Sequence, residues 1–263
     1  MVEADMARRA RKVHVQQSLF RNGGRRRGAG RKPKGLRAGS DHQTRPDFRG
    51  SHGLHVTIRV VPEVGNLRRE AVYRAVRAAS EVAAARGRMR IVQISIQRTH
   101  LHLLIEAAHK GALAAGMQGL QVSIARRINT LLGDGPRRRR GRVFSDRYHL
   151  VVIRSPKQAR HVLVYLMNNW RRHGEHREGA ARAWLLDRFS SACSFPDWQE
   201  LDGRACGWQL PPGYVPLVMQ PPRTWLLRHG WKLHGPISVH TVPGPADRAA
   251  ARARERDAHM RRS

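Results

Sequence analysis

Acidic residues are scarce in this chain. Only 19 Asp and Glu stand against 50 Lys and Arg, a formal charge of +31. Charge of that sign and size favours a polyanionic partner, because cationic side chains that neutralise phosphates release their counterions. Cysteine is nearly missing too. Cys193 and Cys206 are the only two, without a CxxC-like grouping, which argues against a zinc knuckle or a disulfide framework. Long apolar runs are lacking, so no segment reads as a membrane-spanning helix. The opening MVEADMARRARKVHVQQSLF has no continuous apolar core of the kind a signal peptide needs. Together these deficits point to a cytoplasmic, nucleoid-associated protein in contact with DNA or RNA, with no membrane partner.

Aromatic residues are also few, at 6 %, and their distribution is uneven. Five of the six tryptophans fall between 176 and 245, in an irregular Pro-rich stretch that includes FPDWQE and PRTWLLRHGWKLHG. Composition divides the chain into four parts: a basic flexible arm (1–50), a periodic domain (51–175), the Trp/Pro-rich extension (176–245) and a charged Ala/Arg tail (246–263). The arm has too few apolar residues to build a core. Its GRRRGAGRKPKG is similar to an AT-hook, with Gly30-Arg31-Lys32-Pro33 in place of the usual Arg-Gly-Arg-Pro. Nonspecific phosphate binding by Arg25, Arg26, Arg27, Arg31 and Lys32 is the stronger reading of that segment. The tryptophans of the extension either stack unpaired bases or pack the extension onto the main domain, and packing is the expected role.

Within the periodic domain, GLHVTIRVV alternates as a strand with Leu54, Val56, Ile58 and Val60 on one face. RREAVYRAVRAASEVAAARG follows as a helix striped by Val72, Val76, Ala79 and Ala83, with Gly87 as its stop. MRIVQISIQ and HLHLLIEAA form a second and a third strand around a short Arg98–Thr99 junction that reads as a hairpin. GALAAGMQGLQVSIARRINTLLG is a second helix whose Leu120, Ile124, Ile128 and Leu131 recur at helical spacing. RVFSDRYHLVVIR is a fourth strand, bent or bulged. SPKQARHVLVYLMNNWRRHG is a third helix, with Ser155 as N-cap and Pro156 at its first position. The order β-α-β-β-α-β-α gives an α+β fold. Its first six elements are those of a ferredoxin-like antiparallel sheet with two helices on one face, leaving the other face for a substrate.

In RTHLHLLIEA, His100 and His102 share one face of a strand. By itself the pair fits a metal site or two polar residues on the wet side of a sheet. The third helix adds Tyr165 and Asn169, one turn apart on the flank of an apolar stripe through Ala159, Val162, Leu163, Leu166 and Trp170. If that helix lies on the open face of the sheet, two imidazoles and an amide oxygen form an incomplete shell for Mg²⁺ or Mn²⁺. A phenol is almost wholly protonated at neutral pH, so a nucleophilic Tyr165 needs nearby cationic charge or a metal.

Several neighbours carry weaker signals. Tyr148, in SDRYHL, is the rival nucleophile, although its strand-like surroundings favour contact with DNA or the core, as for Arg147. His55 reads as a wet-face or DNA-facing residue, and Glu106 as a solvated strand end. His149 and His161 are near the motifs in sequence only. PRRRR places Arg137, Arg138, Arg139 and Arg140 beside the site as substrate contacts.

Taken in order, HVTIR, RTHLHLLIE, QGLQVSIARRINTLLG, GRVFSDRYHLVVI and VLVYLMNNW resemble the successive motifs of the HUH endonuclease superfamily, most nearly its REP-associated single-tyrosine transposases. The resemblance implies that His100, His102 and Asn169 bind the metal and that Tyr165 is the nucleophile. It further implies cleavage of single-stranded DNA near hairpins, and it is compatible with a homodimer. Thr99 stands where the family usually has Asn, and Trp170 where it has Pro. Replication initiators commonly place Lys where this chain has Asn168, and relaxases place the Tyr before the HUH strand. A noncatalytic nucleic-acid-binding module is the alternative of a different class.

Overall fold

The computed structural model describes residues 46–201 and 212–244; the basic arm with Arg25, Arg26, Arg27, Arg31 and Lys32, and the charged tail, lie outside them. Four strands, β1 (Gly53–Arg59), β2 (Arg90–Ile96), β3 (His100–Glu106) and β4 (His149–Ile153), form one antiparallel sheet in the order β2-β3-β1-β4. With helices α1 (Glu70–Ala85) and α2 (Lys110–Leu131) this is the ferredoxin-like topology that the element order predicts.

Strand alternation sends Leu54, Val56 and Ile58 of β1, and Leu101, Leu103 and Ile105 of β3, to the side that α1 and α2 cover. Val72, Val76 and Ala79 of α1, and Leu120, Ile124 and Ile128 of α2, close this core. Burying each of these Leu, Ile and Val side chains contributes roughly 1.5–3 kcal/mol. A register shift between Ile91 and Gln93 lets Ile91 and Ile94, three residues apart, both face the same core. Gly87, at φ 63, takes the left-handed conformation that ends α1.

Two expectations need adjusting. Leu131 is 46 % exposed rather than core, because the last turn of α2 runs past Ile128, its final buried residue. The fourth strand is shorter than RVFSDRYHLVVIR. Upstream of His149 the chain turns at Asp146, whose carboxylate accepts the Arg147 N–H at 2.7 Å, and touches the sheet through a single bridge of Phe144 to Val60.

Helix α3 (Pro156–Arg172) begins as the sequence predicts. The Ser155 hydroxyl accepts the Gln158 N–H at 3.2 Å, and Pro156 occupies the first turn. The helix packs on the opposite side of the sheet, against Val92, Leu104 and Ile153, together with the extension. That face is therefore largely covered rather than open. Arg160 donates to the carbonyls of Gly235 (3.1 Å) and Pro236 (2.9 Å), and Asn168 to that of Ser238 (3.0 Å). The extension packs through two of its tryptophans: Trp198 and Trp231 are each 2 % exposed, and Trp198 Nε1 donates to Ala192 O. Trp225, by contrast, is 56 % exposed. The sequence places Trp170 where the family has Pro; it is fully buried, and α3 runs two residues beyond it.

The extension also covers the β2 edge, as exposed strand edges invite unwanted pairing. Ile96 N donates to Phe189 O, Gln220 N to Ile91 O, and Ile94 N to Ser191 Oγ. Arg68 fastens the same region from the start of α1 with a two-pronged contact to Asp187 at 2.8 and 3.0 Å. Among the described residues no helix is long and apolar enough to cross a membrane.

Candidate active site

The polar side of β1 and β3 follows from the same alternation that built the core. His55, Thr57 and Arg59 of β1 lie across from His100, His102 and Leu104 of β3, with Thr57 directly opposite His102 and Arg59 opposite His100. The pairing brings the Thr57 Oγ1 and the His55 Nε2 each to 3.1 Å from His102 Nδ1. The ring of His100 meets that of His102 nearly edge-on, 4.6 Å between centroids. Thr99, which departs from the family pattern, places its Oγ1 3.2 Å from His100 Nδ1.

Helix α3 delivers Tyr165 to this cluster. Its hydroxyl lies 3.4 Å from His102 Nε2, and its ring is edge-on to His102 at 5.0 Å. His173, two turns beyond Tyr165 on the same flank, is close enough to act electrostatically on both His100 and His102. Asn169, midway between Tyr165 and His173, is thereby bracketed along that flank. Its Oδ1 and Nδ2 are buried, and neither has a hydrogen-bond partner in the protein. An amide enclosed this way is costly unless something else binds it.

Burial holds the three imidazoles neutral. It brings His55 down to about 4, helped by the charge of His149, and His100 down to about 4, helped by Arg59 and His173. His102 falls to about 2, through burial first and then His55, His100, Arg59 and His173. Neutral imidazole is the form that ligates a metal. Among the described residues no three His, Cys, Asp or Glu side chains converge as a metal site. The donor set that fits a divalent cation is two imidazoles with an amide whose polar atoms are unpaired. This fits the oxygen- and nitrogen-tolerant shell expected of such an ion when phosphate supplies further oxygens.

The other expected residues fall at different places. Tyr148, 8 % exposed, belongs to the core under α1 and α2, on the far side of the sheet from Tyr165. Glu106 is not a solvated strand end: its carboxylate is 5 % exposed and accepts the backbone N–H groups of Arg223 (2.8 and 3.0 Å) and Thr224 (2.8 Å). It docks the extension. Arg139 is tied to Asn129 Oδ1 at 2.9 Å and to the Arg142 carbonyl, whereas Arg137, Arg138, Arg140 and Arg147 are exposed.

Two features escaped sequence reasoning. His55 touches His102 rather than facing solvent, a contact that strand parity plus the β1–β3 register would have revealed. The second is a groove of about 900 Å³ between the outer faces of α1 and α2, which Arg138 shares with Arg74, Arg86, Arg126 and Arg127. Among the described residues no acidic side chain lines it, and Ala71, Ala75, Ala115 and Gly119 leave room between the guanidinium groups.

The fold and the site together are a ferredoxin-like sheet whose His-hydrophobic-His strand faces a helix-borne tyrosine. Sequence comparison is more particular. Residues 51–169 match the family model described as "Transposase IS200 like". Among solved structures, the chain is similar to a REP-associated tyrosine transposase bound to a REP hairpin. The identity is 14 %, the match covers 70 % of this chain and 99 % of that one, and the TM-score is 0.47. It is also similar to a putative transposase from Deinococcus radiodurans R1, at 13 % identity, with 54 % and 100 % of the two chains covered and a TM-score of 0.33. A search of curated protein sequences finds no match.

Proposed function

We propose that this chain is a metal-dependent DNA transposase that cuts and rejoins single-stranded DNA through a phosphotyrosine at Tyr165, next to hairpins in the DNA. The observation that carries this reading is the Tyr165 hydroxyl 3.4 Å from His102 Nε2, in a domain of the transposase family. His100, His102 and Asn169 are the residues that would hold Mg²⁺ or Mn²⁺. When bound, such an ion supplies Lewis-acid polarisation of the scissile phosphate.

Tyr165 Oη attacks phosphorus. The bond from Oη to phosphorus forms, the bond from phosphorus to the 3′ oxygen breaks, the phenolic proton is lost, and the departing oxygen takes up a proton as a 3′-hydroxyl. The downstream segment stays on the enzyme through its 5′-phosphate. Because a phosphodiester is exchanged for a phosphodiester, attack by another 3′-hydroxyl reverses the step without an external energy source. Packing on α3 holds the tyrosine ring edge-on to His102, which orients the oxygen without a large rearrangement. Arg59, on the same face of β1, adds positive charge near the histidines, where phosphate negative charge would accumulate.

Polyanion binding draws on the exposed Arg137, Arg138, Arg140 and Arg147 and on the arginine groove between α1 and α2, together with Arg25, Arg26, Arg27, Arg31 and Lys32 of the arm and Arg139. The test is incubation with labelled, hairpin-bearing single-stranded DNA and Mn²⁺, followed by a denaturing gel. A covalent adduct lost in Tyr165→Phe but kept in Tyr148→Phe supports the reading. The reverse pattern overturns the assignment. Absence of an adduct on any single strand, with steeply salt-dependent binding, would leave a binding module instead.

A further inference from the structure

The contact between His55 and His102 is not used by the chemistry above, and it is built with some care. A neutral imidazole has one N–H donor and one lone-pair acceptor, and the two exchange with the tautomer. On one side of the His102 ring, Nε2 faces the Tyr165 hydroxyl at 3.4 Å. A phenol O–H donates to that nitrogen only if Nε2 carries the lone pair, and a divalent cation makes the same demand. Where the phenol donates or a cation binds, the proton of His102 sits on Nδ1.

On the other side of the ring, Nδ1 has two partners at equal distance, His55 Nε2 and Thr57 Oγ1, each at 3.1 Å. Both come from β1, fixed by the register in which Thr57 lies opposite His102. A hydroxyl rotates and can donate as readily as accept, so Thr57 by itself leaves the tautomer open. An imidazole nitrogen with its proton on the far Nδ1 is an acceptor only. His55 also walls the pocket, 5.2 Å from the His102 ring and 6.0 Å from that of Tyr165.

We infer that His55 is a positioning residue: its Nε2 accepts the His102 Nδ1 proton, with Thr57 as a second acceptor, so that the His102 Nε2 lone pair is presented to the Tyr165 hydroxyl and to a metal. The inference deepens the proposed function, and its metal arm rests on that reading. Ligating histidines generally depend on such an outer partner, whose loss weakens metal binding by about 10- to 100-fold.

The test uses the full chain. ¹⁵N chemical shifts of the His102 ring in metal-free protein at pH 7 report the tautomer directly, whether or not a metal is ever bound. The Nδ1–H form is expected in the wild type, with the Nε2–H form gained in His55→Phe, which keeps a ring of similar size but offers no acceptor. His55→Gln, whose amide oxygen can accept, should restore the wild-type pattern. A wild-type ring protonated on Nε2, or a His102 tautomer unchanged in a folded His55→Phe, overturns the inference. Calorimetric titration with Mn²⁺ then separates the two claims. A wild type that binds Mn²⁺ should lose about 10- to 100-fold in His55→Phe and recover in His55→Gln, and unaltered affinity in His55→Phe counts against the inference. A wild type that binds no Mn²⁺ defeats the metal reading, and the tautomer result still decides the role of His55.

Discussion

The two faces of the sheet are made from the same strands, yet they are held by different physics. Toward α1 and α2, β1 and β3 present Leu54, Val56, Ile58, Leu101, Leu103 and Ile105, a surface that any well-shaped apolar helix pair can cover. Toward α3 and the extension, the same strands present His55, Thr57, Arg59, His100, His102 and Glu106, with Leu104 as an apolar neighbour. Buried polar groups require particular partners at particular distances. Glu106 has the backbone of Arg223 and Thr224, and His102 has Thr57, His55 and Tyr165. One face therefore stabilises by area, whereas the other stabilises by matching and holds the proposed site.

The comparison can be broken most sharply at Tyr165. Tyr165→Phe removes one hydroxyl from the polar face and should abolish covalent adduct formation, a loss of at least about 10³-fold on the scale of removing a nucleophile. Its melting temperature should stay near that of the wild type, and a retained adduct on the gel would move the chemistry elsewhere. Next come core truncations. Leu103→Ala, on the α1/α2 face, should cost about 2–5 kcal/mol in urea unfolding, with residual folded protein still forming adduct.

Glu106→Ala tests the matched face without touching Tyr165. It leaves three backbone-to-carboxylate bonds unmade and should cost about 2–3 kcal/mol, and limited proteolysis should cut first within the extension. If protease sensitivity does not change, Glu106 is not what docks that segment. A pH series separates the faces in another way. His55, His100 and His102 titrate below the usual histidine range when folded, so below about 6.5 the unfolded chain binds more protons than the folded one. The stability present above pH 6.5 should decline as pH falls through about 4, and the decline should be shallower in His55→Phe. The smallest effect is expected on the outer surface of α1 and α2. The double change Arg126→Ala and Arg127→Ala should leave stability within about 0.5 kcal/mol while lowering the slope of log affinity for single-stranded DNA against log salt by about 1.4. An unchanged slope would remove the groove from the binding surface.

Much of this was legible in the chain. Alternation in HVTIR and HLHLLIE gave both faces of β1 and β3, and Ser155-Pro156 marked the start of α3, because caps and strand parity are local properties. The flank shared by Tyr165 and Asn169 follows from helical geometry alone. Strand position alone makes His55 a wet-face or DNA-facing residue and Glu106 a solvated strand end; the structure sets a half-buried His55 against His102 and Tyr165, and buries Glu106 under Arg223 and Thr224, all residues distant in sequence. The expected open face was likewise closed by the extension, whose irregular, Pro-rich sequence carries no period from which its path could be read.

The sequence by itself determined the order of elements, the sheet with its apolar side, the excess of positive charge and the motifs that resemble those of transposases, since each depends on short-range spacing or on composition. Only the tertiary structure decided that His55 and Thr57 meet His102, that Tyr148 lies in the core while Tyr165 faces the histidines, and that arginines from α1, α2 and the following loop share one groove. Those facts are set by strand register and by the packing of distant segments, and a one-residue slip in register would turn His102 from the site into the aliphatic core.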